Sequence, residues 1–224
     1  MQQGLIKGVD TFQAITRPRF QNEDKLDYFL KKQSKSAMEN FFRMVSQFAI
    51  LSSDSEQALS SCLKELEFTK GHIIVKQNTI CNYLYFVERG LTRTYYLKDG
   101  KDVTDWISDE NSFACSIISF ISRKPDRRAI ELLEPSVFYA LHYDDMEKLS
   151  SKYHDIETLF RKLVSFGLVQ LQQKFDDVHF STALQRYQNL MQNHPTFIQR
   201  VPLGMIASYL GITQETLSRI RSQF

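Results

Sequence analysis

The chain has 224 residues, of which 42% are hydrophobic and 24% charged, with a formal net charge of +2. That balance belongs to a folded globular protein of one large domain or two ordinary ones, and it argues against wholesale disorder or a fibre. No apolar run approaches the roughly 20 residues that cross a bilayer, and Lys7, Asp10 and Arg17 interrupt the N-terminus where a signal peptide would place its apolar core, so a cytoplasmic location without a membrane partner is expected.

Residues 1–36 read as an N-terminal extension, within which "NEDKLDYFLKKQSKS" has the spacing of an amphipathic helix. A first effector region is expected over 37–150. It opens with apolar residues at helical spacing (Phe41, Met44, Val45, Phe48), followed by Ser52, Ser53 and Asp54 as turn or N-cap residues, and a second helix through Leu63. From Phe68 the period falls to about two. "FTKGHIIVKQNTICNYLYFVERGLTRTYYLKDGKDVTDWI" is rich in Ile, Val, Tyr, Phe and Thr and is punctuated at Lys70-Gly71, Gln77-Asn78, Arg89-Gly90 and Asp99-Gly100. Asp99-Gly100 predicts a hairpin, because both residues tolerate positive φ. "AIELLEPSVFYALHYD" supplies two more strands around Glu134-Pro135, and short strands at this spacing point to a sandwich or jelly roll.

Cys62, Cys81 and Cys115 form no CxxC pair and the five histidines form no HxH or HExxH spacing, so neither a disulfide framework nor a metal site is indicated. Reduced, partly buried thiols are the plain reading. No cofactor is expected.

The helical period returns after Asp144, and a long helix is predicted over 151–180. One apolar row runs through Phe160, Val164, Leu168, Leu171, Phe175 and Val178, a second through Ile156, Leu159, Leu163 and Phe166. A helix apolar on two sides buries two faces. One can cover the β region and the other fits a second copy of the chain, giving a homodimer; a helix sunk in a monomeric core is the alternative.

Residues 181–224 carry four arginines (Arg186, Arg200, Arg219, Arg221) against Glu215 alone, a net +3 where the remainder totals −1. This suits a polyanion. The same segment reads as a helix, a glycine turn and a second helix. Ile206, Leu210, Ile212, Leu217 and Ile220 would pack the two helices, Ala207 would sit at their closest approach, and Gly211 would take the tight turn. Pro202 is expected to open the first helix and Thr213 to N-cap the second. The second helix exposes groups suited to base edges. Arg219 can read guanine, Gln214 adenine and Glu215 cytosine. Thr213, Thr216 and Ser222 suit phosphates, with Ser218 and Arg221 on the same face. A helical hairpin used only for protein packing is the alternative.

With these residues in view, the chain from about residue 40 onward resembles the Crp/Fnr family of bacterial transcription regulators. "YFVERGLTRTYYLKDGKDVTDWI" resembles the family's effector core and "PLGMIASYLGITQETLSRIR" its helix-turn-helix. "ALQRYQNLMQNHPTFIQRVPLGMIASYLGITQETLSRIR" resembles the short Crp-type regulators of Bacteroidetes. The resemblance implies an α+β chain. Its parts are a cyclic-nucleotide-binding-like jelly roll, a dimerisation helix and a helix-turn-helix that binds double-stranded DNA. It also implies control of transcription initiation, which brings RNA polymerase and a small-molecule effector into the list of partners, and no enzyme activity.

The effector motif departs from the pattern. Cyclic-nucleotide binders of the family carry Gly-Glu-Leu and then Arg-Ser or Arg-Thr; here Ser116-Ile117-Ile118 replaces the first and Arg127-Arg128 covers the second. The long helix carries Leu171-Gln172 where cyclic AMP binders place hydroxyl residues. Cyclic AMP is therefore not the expected ligand. Ser116, Arg127, Arg128, Leu171 and Gln172 remain the candidate effector pocket, in which two arginines could hold an anion; "SRKPDRR" as a solvated loop is the alternative. An iron–sulfur cluster needs cysteines that this sequence lacks, and no histidine position asks for haem. The reading helix has Gln214-Glu215-Thr216 where relatives often have Arg-Glu-Thr, and the pattern ends at Phe224 without the β-hairpin wing of many relatives. Two other functional classes stand as alternatives: a ligand-binding module whose helical tail docks a protein, and a cupin-like enzyme, for which clustered His and Glu ligands are missing.

Overall fold

The run of β-branched and aromatic residues after Leu63 folds into eight short strands. The computed structural model describes residues 38–222 of the chain; the N-terminal extension 1–36, with its expected amphipathic helix, lies outside them. Two helices come first, α1 (Glu39–Val45) and α2 (Ser53–Cys62). Ser52 caps α2, its hydroxyl accepting from the Ser55 N–H at 3.2 Å. The strands follow: β1 (Lys64–Phe68), β2 (Ile73–Val75), β3 (Tyr83–Arg89), β4 (Thr92–Lys98), β5 (Lys101–Ser108), β6 (Phe113–Ala114), β7 (Ala129–Leu132) and β8 (Ser136–His142). They form two four-stranded sheets in the orders β1-β8-β3-β6 and β2-β7-β4-β5, a jelly-roll-like sandwich with antiparallel pairing throughout.

Three local features govern this layout. Asp99 and Gly100 both take positive φ, +51° and +73°, so β4 and β5 close as the expected two-residue hairpin with Lys98 opposite Lys101. The first strand begins at Lys64, earlier than Phe68. Lys64, Glu65 and Glu67 point to solvent while Leu66 and Phe68 pack inward, as an edge strand does. Strands β3 and β8 are buried on both faces. Tyr85, Val87, Phe138 and Ala140 enter the core between the sheets, while Phe86 and Tyr139 on the opposite face meet Phe41 of α1, with ring centroids at 5.3 and 6.4 Å. Their sequence is accordingly a continuous apolar run.

A short helix, α3 (Ile117–Ser122), separates β6 from β7. After β8 come α4 (Tyr143–Lys152) and the long helix α5 (His154–Phe180), 27 residues that start a turn later than residue 151 because Tyr153 is extended. The last four helices are α6 (Ala183–Asn193), α7 (Phe197–Arg200), α8 (Leu203–Tyr209) and α9 (Gln214–Arg221).

These last helices share one apolar cluster with the second sheet. Leu91, Ile107 and Leu133 pack with Phe197, Val201, Ile206, Leu210 and Leu217. Helix α8 lies along β5, the edge of that sheet, where the Thr104 N–H donates to Ser208 Oγ at 2.9 Å. An edge strand is thereby covered. Arg200, at the end of α7, donates to both carboxylate oxygens of Glu110 at 2.8 Å and to Glu134 at 2.5 Å. The two glutamates hold the Arg200 guanidinium firmly protonated.

Candidate nucleic-acid interface

The pair α8 and α9 is built as its residues require. Pro202 sits one position before the helix as its N-cap, with φ −54° and ψ 137°, and its carbonyl receives the Met205 and Ile206 N–H groups. Gly211 makes the turn at φ +67°, a conformation that costs a side-chain-bearing residue about 1 kcal/mol or more. Thr213 caps α9 by accepting from the Thr216 N–H at 3.2 Å. Ile206, Ala207, Leu210, Leu217 and Ile220 are all buried.

That packing leaves the other side of α9 open. Thr213, Gln214, Glu215, Ser218, Arg219, Arg221 and Ser222 are exposed and Thr216 is half-buried. Four of them are partly engaged at home, Thr213 and Thr216 with each other through the cap and a hydroxyl contact of 3.1 Å. The Glu215 carboxylate is held below its usual range first by its own backbone N–H at the helix N-terminus, then by the Thr213 hydroxyl and the Arg219 charge. Ser222 Oγ donates to the Arg219 carbonyl at 2.8 Å. Arg219 and Arg221 present the positive charge of this face.

The segment's net +3 does not translate into four available cations. Arg200 is consumed by Glu110 and Glu134. Arg186 donates through Nε to the Leu210 carbonyl at 2.9 Å and through Nη1 to the Ser181 carbonyl at 2.6 Å. A charge count sees residues and not their partners, and both partners here lie far off in sequence or on the backbone.

The candidate effector residues separate. Ser116 Oγ donates to Asp126 Oδ2 at 2.6 Å, and Arg128 donates through Nε to Asp105 at 2.6 Å and through Nη1 to Asp126 at 3.2 Å. Asp126 thus brings Ser116 and Arg128 together. Burial opposes ionisation of its carboxyl, but the Ser116 hydroxyl and the Arg128 charge outweigh it and hold the group below the usual range. Arg127 goes elsewhere: it is exposed and lies over the Tyr96 ring at 4.7 Å. Leu171 and Gln172 are exposed on α5, where Gln172 donates to Asp176 at 2.9 Å.

The α5 residue that does reach this region is Lys174, which the sequence reading missed. Its ammonium donates to the Asp105 carbonyl and sits between the Trp106 and Tyr209 rings, 5.3 and 4.0 Å from their centroids. Burial first, and then the nearby Arg128 charge, push its pKa down to about 8, against the opposing pull of Asp105. A lone lysine on a half-apolar helix carries no sequence signal for such a seat, since both rings come from distant elements.

The apolar rows of α5 also divide. Ile156 and Leu159 are fully buried against the sandwich. Phe160 is half-buried and lines an apolar recess with Phe41, Val45 and Leu59, apart from the rest of its row. Coverage by α1 and α2 ends near this point, and Val164, Leu168, Leu171 and Phe175 beyond it are each 47–67% exposed. Burial pushes the Cys81 and Cys115 thiols up, away from reactive thiolate. Among the described residues no three His, Cys, Asp or Glu side chains are grouped as metal ligands, and no helix is long and apolar enough to cross a membrane.

Residues 65–153 match the family model of the cyclic nucleotide-binding domain. Solved structures of similar fold include FixK2 from Bradyrhizobium japonicum, at 20% identity over 72% of this chain and 83% of that one, TM-score 0.61. A protein of Eubacterium rectale described as a transcriptional regulator of the Crp/Fnr family is similar at 18% identity over 78% and 83%, TM-score 0.60. The c-di-GMP responsive global regulator CLP of Xanthomonas campestris is similar at 14% identity over 77% and 91%, TM-score 0.59. The chain therefore contains a cyclic nucleotide-binding domain and has the fold of the Crp/Fnr regulators.

Proposed function

We propose that this protein is a homodimeric, sequence-specific DNA-binding regulator of transcription. The observation that carries the reading is the exposed face of α9: Gln214, Glu215, Ser218 and Arg219 stand together on a helix whose other side is locked by Leu217 and Ile220. A helix presented this way enters the major groove by its N-terminal residues. The open apolar row of α5 supplies the dimer seam, and two readers then meet half-sites about one helical turn apart. The working division is a sensor over 37–150, a dimer helix over 151–180 and a reader over 181–224, with RNA polymerase and a small-molecule effector as further partners and no enzyme activity. The fold shared with regulators of the Crp/Fnr family supports it.

The experiment is selection of bound DNA from a random duplex library, followed by salt-dependent affinity on the winning sequence. A palindrome is expected, with log affinity falling linearly against log salt concentration. Arg219→Ala is expected to cost roughly 1–3 kcal/mol and to relax base preference at one position; unchanged affinity would remove Arg219 from the reading set. If no duplex is enriched in any ligand condition, the helical tail is a protein-docking element instead.

Cyclic AMP is not the ligand in this reading. Asp126 already places a carboxylate on Arg128 and Ser116, so a cyclic phosphate would meet an anion where it needs a cation. Cyclic AMP in millimolar excess is expected to leave the melting temperature unmoved, because a ligand that does not bind the native state contributes no stabilisation. A concentration-dependent rise would reinstate it.

A further inference from the structure

We propose that Arg186 is the positioning residue of the DNA reader: its guanidinium joins the end of the dimer helix to the turn that precedes α9 and sets the half-site separation the dimer accepts. The inference rests on the DNA-binding reading above. Ser181 is the C-cap of α5 and Leu210 the C-cap of α8. Each helix end leaves carbonyls without an intrahelical donor and carries the negative end of its dipole. Arg186 serves both ends at once. Nε donates to the Leu210 carbonyl at 2.9 Å, and Nη1 donates to Ser181 at 2.6 Å with a longer contact to Asp177 at 3.5 Å. A planar fork can hold two fixed acceptors in a defined relation, whereas a lysine ammonium is a point donor on a flexible stem.

The surroundings keep the joint in register. Thr182 and Gln185 form a capping box that starts α6 and places Arg186 in its first turn. The Asp177 carboxylate accepts from Ser181 Oγ and from Asn189 Nδ2, both at 3.2 Å, which fixes α6 against the end of α5. Tyr209, the neighbour of Leu210, faces the Lys174 ammonium of α5 at 4.0 Å. The end of α8 is thus held by Arg186 and Lys174, and by the Thr104 N–H of β5 at Ser208. Beyond Leu210 only residues 211–213 intervene before α9, and they are themselves pinned by the Gly211 N–H to Ser208 and the Ile212 N–H to Ala207, each at 3.0 Å. A tilt of α5 therefore reaches the reading helix through Arg186. In a dimer the same joint acts twice with opposite sense, so its stiffness governs which half-site separation both readers can fit.

The test uses the full chain on the palindrome selected by the wild type, with the half-site separation changed in single base-pair steps, beside a duplex carrying one half-site. The wild type is expected to show a sharp optimum. Arg186→Gln should lose roughly tenfold at that optimum, flatten the profile, and change affinity for the single half-site by no more than about twofold. Its salt slope should equal that of the wild type. Arg186→Lys keeps the charge and should not restore the optimum. Circular dichroism melts gate both variants, and if the glutamine variant is unfolded at the assay temperature the lysine variant carries the test. A wild-type spacing profile in the folded variants overturns the proposal. So does rescue by lysine, or a salt slope reduced by about one per copy, since either marks a phosphate contact. Failure of the wild type itself to bind any duplex sinks the DNA-binding reading, a different result from binding with an unaltered spacing profile.

Discussion

Lys174 shows how much a single side chain can owe to burial. Its ammonium is placed against two aromatic faces and one carbonyl, contacts that compensate a lost hydration shell only in part. Its pKa falls to about 8 from 10.5 as a result. Between these values the folded chain binds fewer protons than the unfolded chain, so this residue's contribution to stability rises with pH across that window and is least favourable below it. Lys174→Met removes the titration while keeping an apolar stem of similar length. The stability of the wild type relative to this variant is expected to rise between pH 8 and about 10.5, by at most about 3 kcal/mol. Urea unfolding at several pH values measures it, and a flat difference would mean that the ammonium stays hydrated in the folded chain.

At the scale of elements, α5 changes character along its length. Its first turns are sealed by Ile156 and Leu159, and its later turns leave Val164, Leu168, Leu171 and Phe175 open. A row of this kind on a helix is worth burying, at roughly 1.5–3 kcal/mol for each large side chain. Leu168, 67% exposed, separates assembly from folding, since a charge there meets water in the isolated chain. Leu168→Glu should weaken the proposed dimer on the order of a hundredfold with little change in the melting of the monomer. Sedimentation across a concentration series decides it, and an unaltered association constant would move the seam off this row. The helix, the Asp99-Gly100 hairpin and the Gly211 turn were legible because each depends on periodicity or on a local φ requirement. The sorting of the helix's two apolar rows was legible only in part, since Phe160 is half-buried and Phe166 is 48% exposed. Elements α3 and α7 and the cap position of Pro202 were not, being too short for periodicity to register. The seats of Lys174, Arg186 and Arg200 were also hidden. Asp105 lies 69 residues from Lys174 and Glu110 lies 90 from Arg200, and such pairings follow from the packed fold alone.

At the scale of the whole molecule, the sandwich and the C-terminal helices are joined through a common core. The sequence pattern suggests a division near residue 181, yet Leu91, Ile107 and Leu133 of the sandwich share a buried cluster with Phe197, Val201 and Ile206 of the helices beyond it. Hydrogen bonding at Thr104–Ser208 and the Arg200 ion pairs with Glu110 and Glu134 cross the same line. A shared core of this kind makes the two parts unfold as one cooperative unit. Ile107, 5% exposed, is the side chain whose loss reads this coupling most directly. Ile107→Ala should cost about 2–5 kcal/mol by removing buried methyl groups from a site that cannot fully collapse. The chain's single tryptophan, Trp106, sits at the junction itself, so its fluorescence reports the interface while far-UV circular dichroism reports the helices. In the wild type both probes are expected to melt at one midpoint, and in the variant both should fall together. If the fluorescence transition moves below the helical one, the C-terminal helices are a separately folded body resting on the sandwich. A change in the sandwich would then have to travel through α5 alone. With coincident midpoints it has a second route, across the edge strand β5 into α8.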